Sequence, residues 1–452
     1  MRVVVLGAGY AGVTLTKQLE RSLPDDVDLV LVDDTGVHLV QHELHRVVRR
    51  PSIADAITVP LSELVDEATV REGRVTHVDR EERVVHFTDD GRLSYDVAAV
   101  CLGAETAYYD LPGVEEHSTP LKRLEDAYRI RDEFDRVLES GGRVVVGGAG
   151  LSGVQVAGEL AELAEPKGGR CSPDDAGTAG GRDQTDEPQR IDIDATDDPS
   201  SPGNAGPTDD ADDLAETEPP ETVDDDWGTA SEVELRNDVT VTLLEQFDSV
   251  APTFPERFQR AVHDQLTSRG VEVRTGATVT RATDDEIHLE DGSVLDYDQL
   301  VWTGGIRGPD ALDGERPVVR SHLRLDRTTF VVGDAARMVD DDGEAVPASS
   351  QAAIRAAKVG AANVERLVSH LREGDVDDFE PRLKRFDFNS PGWLVSVGNG
   401  AVAQVGPTVF TGRAALALKA SVGAGYLSSV GAVREAVDLV NEELGIDPGR
   451  DD

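Results

Sequence analysis

The sequence predicts an α/β fold: two strand–loop–helix units with parallel sheets, one inserted in the other, followed by a C-terminal cap. Three observations predict it. The loop Gly7-Ala8-Gly9-Tyr10-Ala11-Gly12 directly follows the apolar run Val3-Val4-Val5-Leu6. A second loop, Gly148-Ala149-Gly150-Leu151-Ser152-Gly153, directly follows Val144-Val145-Val146. Each is followed further along the chain by an apolar strand that ends in a carboxylate.

The order strand, G-x-G-x-x-G, helix is the Rossmann arrangement. Its glycines let the backbone turn tightly and approach a pyrophosphate, which then rests on the helix N-terminus. One such loop is a weak signal. Two in one chain point to two dinucleotides held together, and the usual reason to hold two is to pass electrons between them. The strand Val27–Val32 ends at Asp33 and Asp34, about 20 residues past the first loop, where a carboxylate bonds the ribose of an adenosine. A solvated acidic turn is the alternative for Asp33. The second strand, Val239–Leu244, ends at Glu245 but comes late. Residues 165–236 intervene, rich in Asp, Glu, Gly, Pro, Ser and Thr with almost no apolar periodicity. Such a stretch buries too little to offset its ordering entropy and is expected to be a disordered insertion. With it removed, the second unit closes normally. Glu245 favours NADH, because a carboxylate repels the 2′-phosphate of NADPH and no basic residue adjoins it in sequence.

The expected domains are residues 1–110 and 311–380 as two parts of the first unit, 111–310 as the second, and 381–452 as the cap. The strand Val97–Leu102 ends at Gly103, and Thr329–Val332 ends at Gly333-Asp334, both suited to a chain passing close to a cofactor. A helical pattern runs from about 350 to 371. Near the C-terminus, Leu427, Val430, Val433, Val437, Val440 and Leu444 recur at spacings of three and four, the stripe of one helix. Its polar face is acidic, so packing on the first unit or on a second subunit competes with lipid contact.

Composition narrows the partners. Lys and Arg number 44 against 88 Asp and Glu, a net charge of −44, which excludes a nucleic-acid backbone. An acid excess of this size suits a protein working in concentrated salt, where screening at about 1 M shortens the Debye length to about 3 Å. The two cysteines, Cys101 and Cys171, cannot build a disulfide framework. Cys101 reads as a small core residue. The insertion's Asp192-Ile193-Asp194 starts like a calcium loop, but Thr196 and Asp197 fail the pattern. His38, His42 and His45 resemble metal spacing without forming H-E-x-x-H, so no metal site is expected and a loop beside the cofactor is the better reading. No apolar run reaches the ~18 residues of a membrane span, and the first strand begins at Met1, leaving no room for a signal peptide. The expected location is cytoplasmic, free or peripheral on the inner face of the cell membrane.

Taken together, these motifs resemble the two-dinucleotide-binding flavoproteins. They look most like type II NADH dehydrogenases, the single-subunit NADH:quinone oxidoreductases. Four stretches carry the resemblance: His38-Leu39-Val40-Gln41, Gly153–Leu160, Val301-Trp302-Thr303-Gly304-Gly305-Ile306-Arg307-Gly308, and Gly400–Ala403. The segment Gln351-Ala352-Ala353 after Pro347 narrows it further. The resemblance implies FAD and NADH as cofactors and a quinone or other small acceptor. It implies that Gly7, Gly9, Gly12 and Asp33 bind the ADP half of FAD, with Gly103 and Gly333 beside it and Asp334 on the ribityl or pyrophosphate. Gly148, Gly150, Gly153 and Glu245 then bind NADH, and Gly304 lets the chain pass the nicotinamide. Gln351, Arg355 and Gln155 fall in the catalytic and acceptor region. Asp334 as a helix cap, Gln351 as a solvated helix residue and Trp302 as plain core remain the alternatives.

Two departures bear on the acceptor. Gln155 stands where the family often has Glu, and an amide cannot relay a proton. Arg355 replaces a second glutamine; it can steady a reduced anionic acceptor or flavin, or pair with an acid. The implied mechanism is hydride transfer from NADH to flavin, then electron transfer to the acceptor without proton pumping. The alternatives are a ferredoxin- or rubredoxin-type reductase and a non-enzymatic NADH-sensing flavoprotein. Disulfide reductases and sulfide:quinone oxidoreductases need cysteines that this chain lacks.

Overall fold

The run Val3–Leu6 becomes β1 (Arg2–Leu6), with all four apolar side chains buried. A strand buried on both faces belongs in the middle of a parallel sheet. The computed structural model describes residues 1–165, 239–373, 380–390 and 392–444. The acidic insertion read as disordered, with Cys171 and the Asp192–Asp194 run, lies outside the described residues. From β1 the chain enters α1 (Tyr10–Glu20), β2 (Asp28–Asp33), β3 (Thr69–Glu72) and β4 (Val97–Val100). β1 pairs in parallel with β2 on one side, Val3 opposite Leu29, and with β4 on the other, Val3 opposite Val97.

The second sheet repeats the plan. α2 (Leu124–Ser140) leads to β5 (Gly142–Gly147), α3 (Leu151–Ala164), β6 (Val239–Leu244), α4 (Glu256–Thr267), β7 (Glu272–Arg274) and β8 (Gln299–Trp302). The order is β7-β6-β5-β8, all parallel, with the loop-bearing strand between the acid-bearing strand and a later one. The chain then returns to the first sheet as β9 (Thr329–Val331), which completes the order β9-β4-β1-β2-β3. In both sheets the strand order reverses at the glycine loop, which opens a crevice at the carboxyl ends of the strands. Each sheet also carries a three-stranded antiparallel meander, residues 75–94 on the first and 279–296 on the second.

The helix expected after 350 is α5 (Ser350–Glu373), which packs on α1. The cap is an antiparallel sheet of β10 (Gly392–Val397), β11 (Gly400–Val405) and β12 (Thr408–Thr411), then α6 (Gly412–Val430) and α7 (Val433–Leu444). The single C-terminal helix read from the apolar stripe is therefore two. Gly431 takes a left-handed φ of 94° and ends α6, the commonest way for a helix to stop. The stripe also faces the wrong way beyond the break. Val433 and Val437 are exposed, while Ala432, Ala436 and Leu439 pack inward.

Candidate functional site

Both glycine loops have the same internal geometry. Gly7 and Gly148 take φ of +96° and +94°, and a Cβ on either would strike backbone: Cys101 O at 2.5 Å or Gly304 Cα at 2.6 Å. The third glycines are packed tighter still. A Cβ on Gly12 would sit 1.7 Å from Gly7 O, and one on Gly153 would sit 1.9 Å from Gly148 O. The middle glycines are the opposite case, since a Cβ on Gly9 or Gly150 would meet nothing within 4 Å. That open space lies at the N-termini of α1 and α3, neither of which has a side-chain cap. Uncapped first-turn N–H groups beside open space can take a phosphate group.

The two acids are bound to their own loops. Asp33 Oδ2 accepts from Ala8 N at 2.8 Å, and Oδ1 accepts from Thr35 N at 2.9 Å and Oγ1 at 2.7 Å. Glu245 Oε2 accepts from Ala149 N at 2.8 Å and Oε1 from Phe247 N at 3.1 Å. A carboxylate offers about four lone-pair sites, so each keeps capacity for a ligand hydroxyl. Sequence adjacency missed one neighbour of Glu245. Arg274 lies opposite the end of β6, its carbonyl accepting from Glu245 N at 2.9 Å. Its guanidinium is turned to Glu272, at 2.6 Å.

Gly333 sits at φ +78°, and a Cβ there would lie 3.2 Å from Ala11 Cβ and 3.4 Å from Ala353 Cβ. This contact brings the first loop, the Gly333-Asp334 turn and the start of α5 to one place. Asp334 is half-buried, and its buried Oδ1 lacks any hydrogen-bond partner among the described residues. Burial raises its carboxyl, opposed by the charges of Lys122 and Arg316. A buried carboxylate oxygen without a partner is costly, and a ligand hydroxyl in the crevice would satisfy it. Lys122 itself is lowered by burial and drawn up by Asp334. Arg316 donates to Asp334 O at 2.7 Å and to Ala336 O at 2.9 Å. Neither cation was legible as a site residue, because nothing in the local pattern ties residue 122 or 316 to residue 334.

Two of the residues expected in the acceptor region, Gln351 and Arg355, bond to the segment that leads into the cap. Gln351 Oε1 accepts from Ser390 Oγ at 3.0 Å. Arg355 donates to the carbonyl of Asn389, so its described bond is to the backbone of the cap segment and not to an acid. Gln155 is half-buried on the first turns of α3. Trp302 is core: it is 5% exposed, its Nε1 donates to Ala107 O at 2.9 Å, and its ring fills the space of absent Cβ atoms on Gly147 and Gly304. Gly103 takes φ +69° and opens onto free space. Cys101 is buried against the first loop, and burial pushes its thiol up to about 12.

The histidine cluster props the first loop. His38 Nδ1 bonds Ala8 O at 2.8 Å and Nε2 bonds the Tyr426 hydroxyl at 2.9 Å, so both ring nitrogens are used. Burial holds its pKa down to about 4, which keeps the ring neutral. Tyr10 meets His42 through its hydroxyl and stacks edge-on with Tyr426, centroids 4.8 Å apart. Beyond it, burial works to raise the Glu43 carboxyl, but Lys419, His42, Arg46 and His45 together hold it below the usual range. Arg49 then reaches into the second unit, pairing with buried Glu159 on α3 and donating to Asn399 Oδ1 at 2.6 Å.

The two crevices are joined. The segment leaving β4 and the segment leaving β8 pair antiparallel, Glu105 with Arg307 and Thr106 with Ile306. Ala107 N donates to Gly305 O at 3.1 Å, and the Tyr109 hydroxyl to Gly304 O at 3.3 Å. The strand exits that carry Gly103 and Gly304 are thus tied to each other.

A family model described as pyridine nucleotide-disulphide oxidoreductase matches residues 1–357. The chain belongs to that family. As a pyridine nucleotide-disulphide oxidoreductase family member it is an oxidoreductase with the two-dinucleotide fold that its loops predict. It is 23% identical over 456 residues to a type II NADH:quinone oxidoreductase of Haemophilus influenzae, covering 88% of this chain and 85% of that one. NDH2 from Plasmodium falciparum, solved in complex with NADH, superimposes with a TM-score of 0.69 at 13% identity, covering 98% of both chains. A ferredoxin reductase from Rhodopseudomonas palustris superimposes with a TM-score of 0.62 at 16% identity, covering 90% and 82%. Among the described residues the one cysteine, Cys101, is buried, so they hold no cysteine pair for the disulphide chemistry in the family's description.

Proposed function

We propose that this protein is an FAD-dependent NADH dehydrogenase that delivers electrons to a quinone without pumping protons. The observation that carries the proposal is the pair of uncapped glycine loops with open space at their middle glycines, each with a carboxylate bonded to it, in units tied together by the ladder of residues 105–106 and 306–307. The name of the Haemophilus influenzae relative, similar over most of both chains, supports quinone as the acceptor. The ferredoxin reductase neighbour shares the fold at 16% identity, which leaves a protein acceptor as the outcome to be tested. No helix among the described residues is long and apolar enough to cross a membrane, which fits electron transfer uncoupled from a proton path. In this reading the protein serves a respiratory chain in concentrated salt, at the cytoplasmic face of the cell membrane, as a monomer or homodimer.

When bound, the flavin supplies the ability to take a hydride and release single electrons. The rest falls to the chain. The uncapped turn of α1 holds the pyrophosphate through its N–H groups, with Gly9 leaving the room. Asp33 would take a ribose hydroxyl with its remaining lone pair, and Asp334 Oδ1 would accept from a hydroxyl of the ribityl chain. Lys122 and Arg316 balance Asp334 in the buried site. The uncapped turn of α3 and Glu245 hold NADH in the same manner. Gln351, beside the cap segment, contacts the incoming quinone, while Arg355 fixes that segment through Asn389. Gln155, half-buried on α3, would carry no proton, since an amide cannot relay one. Alignment of two rings and exclusion of water are what this scaffold contributes to rate.

The test is purification in high salt, a flavin absorbance spectrum, and anaerobic addition of NADH. The expected result is a yellow protein that NADH bleaches and a quinone analogue restores. A colourless protein that refuses FAD overturns the proposal, and restoration by ferredoxin but not by quinone overturns its acceptor.

A further inference from the structure

The first sheet has a second end. The phosphate loop and Gly333-Asp334 follow the carboxyl ends of β1 and β9, whereas residues 320–328 lead into the opposite end of β9. There they meet the cap segment. Phe386 N donates to Ser321 O at 2.7 Å, and Asn363 Nδ2 bridges His322 O and Lys384 O, each at 3.0 Å. Between the two segments lies a cleft of about 1010 Å³. Arg320, Arg324 and Arg327 line it from one side, Arg382 and Arg385 from the other.

Such a concentration of cations runs against the rest of the molecule. Residues 320–327 and 382–385 contain six Lys or Arg and one acid, Asp326, in a chain with 44 basic and 88 acidic residues. Arg324 is structural, its Nη1 donating to Glu380 at 2.9 Å and its Nε to Asp326 O at 2.7 Å. Arg385 donates to Asp341 at 2.9 Å. Arg320, Arg327 and Arg382 are exposed, and among the described residues their side chains make no hydrogen bond or ion pair. Like charges brought together in a concave site repel one another, and an anion relieves that repulsion. Guanidinium forks match phosphate oxygens two at a time. The rest of the lining is Val318, Leu325, Pro381 and Leu383 together with His322 and the acids Asp326 and Glu380, and it includes no Phe, Tyr or Trp ring. Asp326 already pairs with Arg80 and Glu380 with Arg324.

We propose that this cleft binds an oligophosphate chain, free or as the phosphate tail of a nucleotide, separately from the two dinucleotide loops. The proposal does not depend on the identity of the electron acceptor. It is tested on the FAD-loaded protein with saturating NAD⁺, so that both loops are filled. Tripolyphosphate, ATP and AMP are titrated calorimetrically at fixed ionic strength. Tripolyphosphate is expected to bind saturably, at least tenfold more weakly to Arg320→Ala/Arg382→Ala, and equally well to Arg136→Ala on the exposed side of α2. Binding of ATP as well, with AMP failing, assigns the site to a nucleotide tail; binding of tripolyphosphate alone assigns it to the free chain. An unchanged flavin spectrum and melting temperature show that the double variant is folded. Absence of saturable binding, or an affinity indifferent to the double variant, overturns the proposal. So does displacement by poly-glutamate of a bound acidic probe that tripolyphosphate cannot displace.

Discussion

The two loops have the same shape but are held by different means. The second is braced from within its own sheet: Thr303 Oγ1 donates to Gly147 O at 3.1 Å and to Gly148 O at 2.9 Å. At the matching place in the first unit stands Cys101, which fills space beside Gly12 and supplies no such bond. The first loop is braced from outside instead. His38 grips its Ala8 carbonyl, and Tyr426 from α6 grips His38. A loop locked by the far end of the chain suits a resident cofactor. A loop held only from nearby parts of its own unit, by Thr303, by Glu245 and by the Ala251 N–H on Ala149 O at 2.8 Å, suits a nucleotide that enters and leaves.

Three experiments break or sharpen that contrast. The largest effect is expected from the third glycines. Gly12→Ala and Gly153→Ala each force a Cβ against a backbone oxygen, a strain of roughly 3 kcal/mol, over a hundredfold in affinity. The Gly12→Ala protein should purify without flavin. Gly153→Ala should stay yellow yet resist bleaching by NADH; loss of flavin there too would show that the loops are not independent.

Next is pH. His38 is neutral in the fold with a pKa of about 4 against 6.5 for the free group. The unfolded chain therefore binds the extra proton first, and stability present above pH 6.5 is lost as pH falls toward 4. The loss is roughly 3 kcal/mol across that window. Denaturant unfolding at pH 7 and pH 4.5 should show it, and His38→Asn should remove most of the difference. Equal pH dependence in the variant would mean that other buried groups, such as His45, carry the effect. The smallest change is Thr303→Val. Losing this shared hydrogen bond, made by one hydroxyl proton, costs about 1 kcal/mol, which should raise the NADH concentration for half-maximal flavin reduction by around fivefold while leaving the flavin spectrum unaltered.

The parts of this architecture that were legible in sequence are those with local signatures. Val3–Leu6 and Val144–Val146 announce buried strands, and the glycines after them announce the loops; Asp33 and Glu245 follow because their strands end where the geometry demands. Even the long interruption before Val239 did not hide the second unit, since its two ends still fit. What could not be read depends on contacts between distant residues. Thr303 braces Gly148 across 155 positions, and His38 meets Tyr426 across 388. Lys122 is drawn to Asp334 only because the sheet returns to that point. The C-terminal stripe failed for another reason. A three-four spacing passes unbroken through Gly431, whose left-handed backbone ends one helix and re-aims the next.

The pairing of Arg49 with Glu159 constrains how the molecule can move. Glu159 is 1% exposed, and its partner joins the stretch after β2 to the helix that follows the second glycine loop. A jaw-like opening between the halves would strip that carboxylate of its cation inside the protein, at about 3 to 5 kcal/mol. The pair therefore resists such an opening and favours a stiff frame between the two sheets.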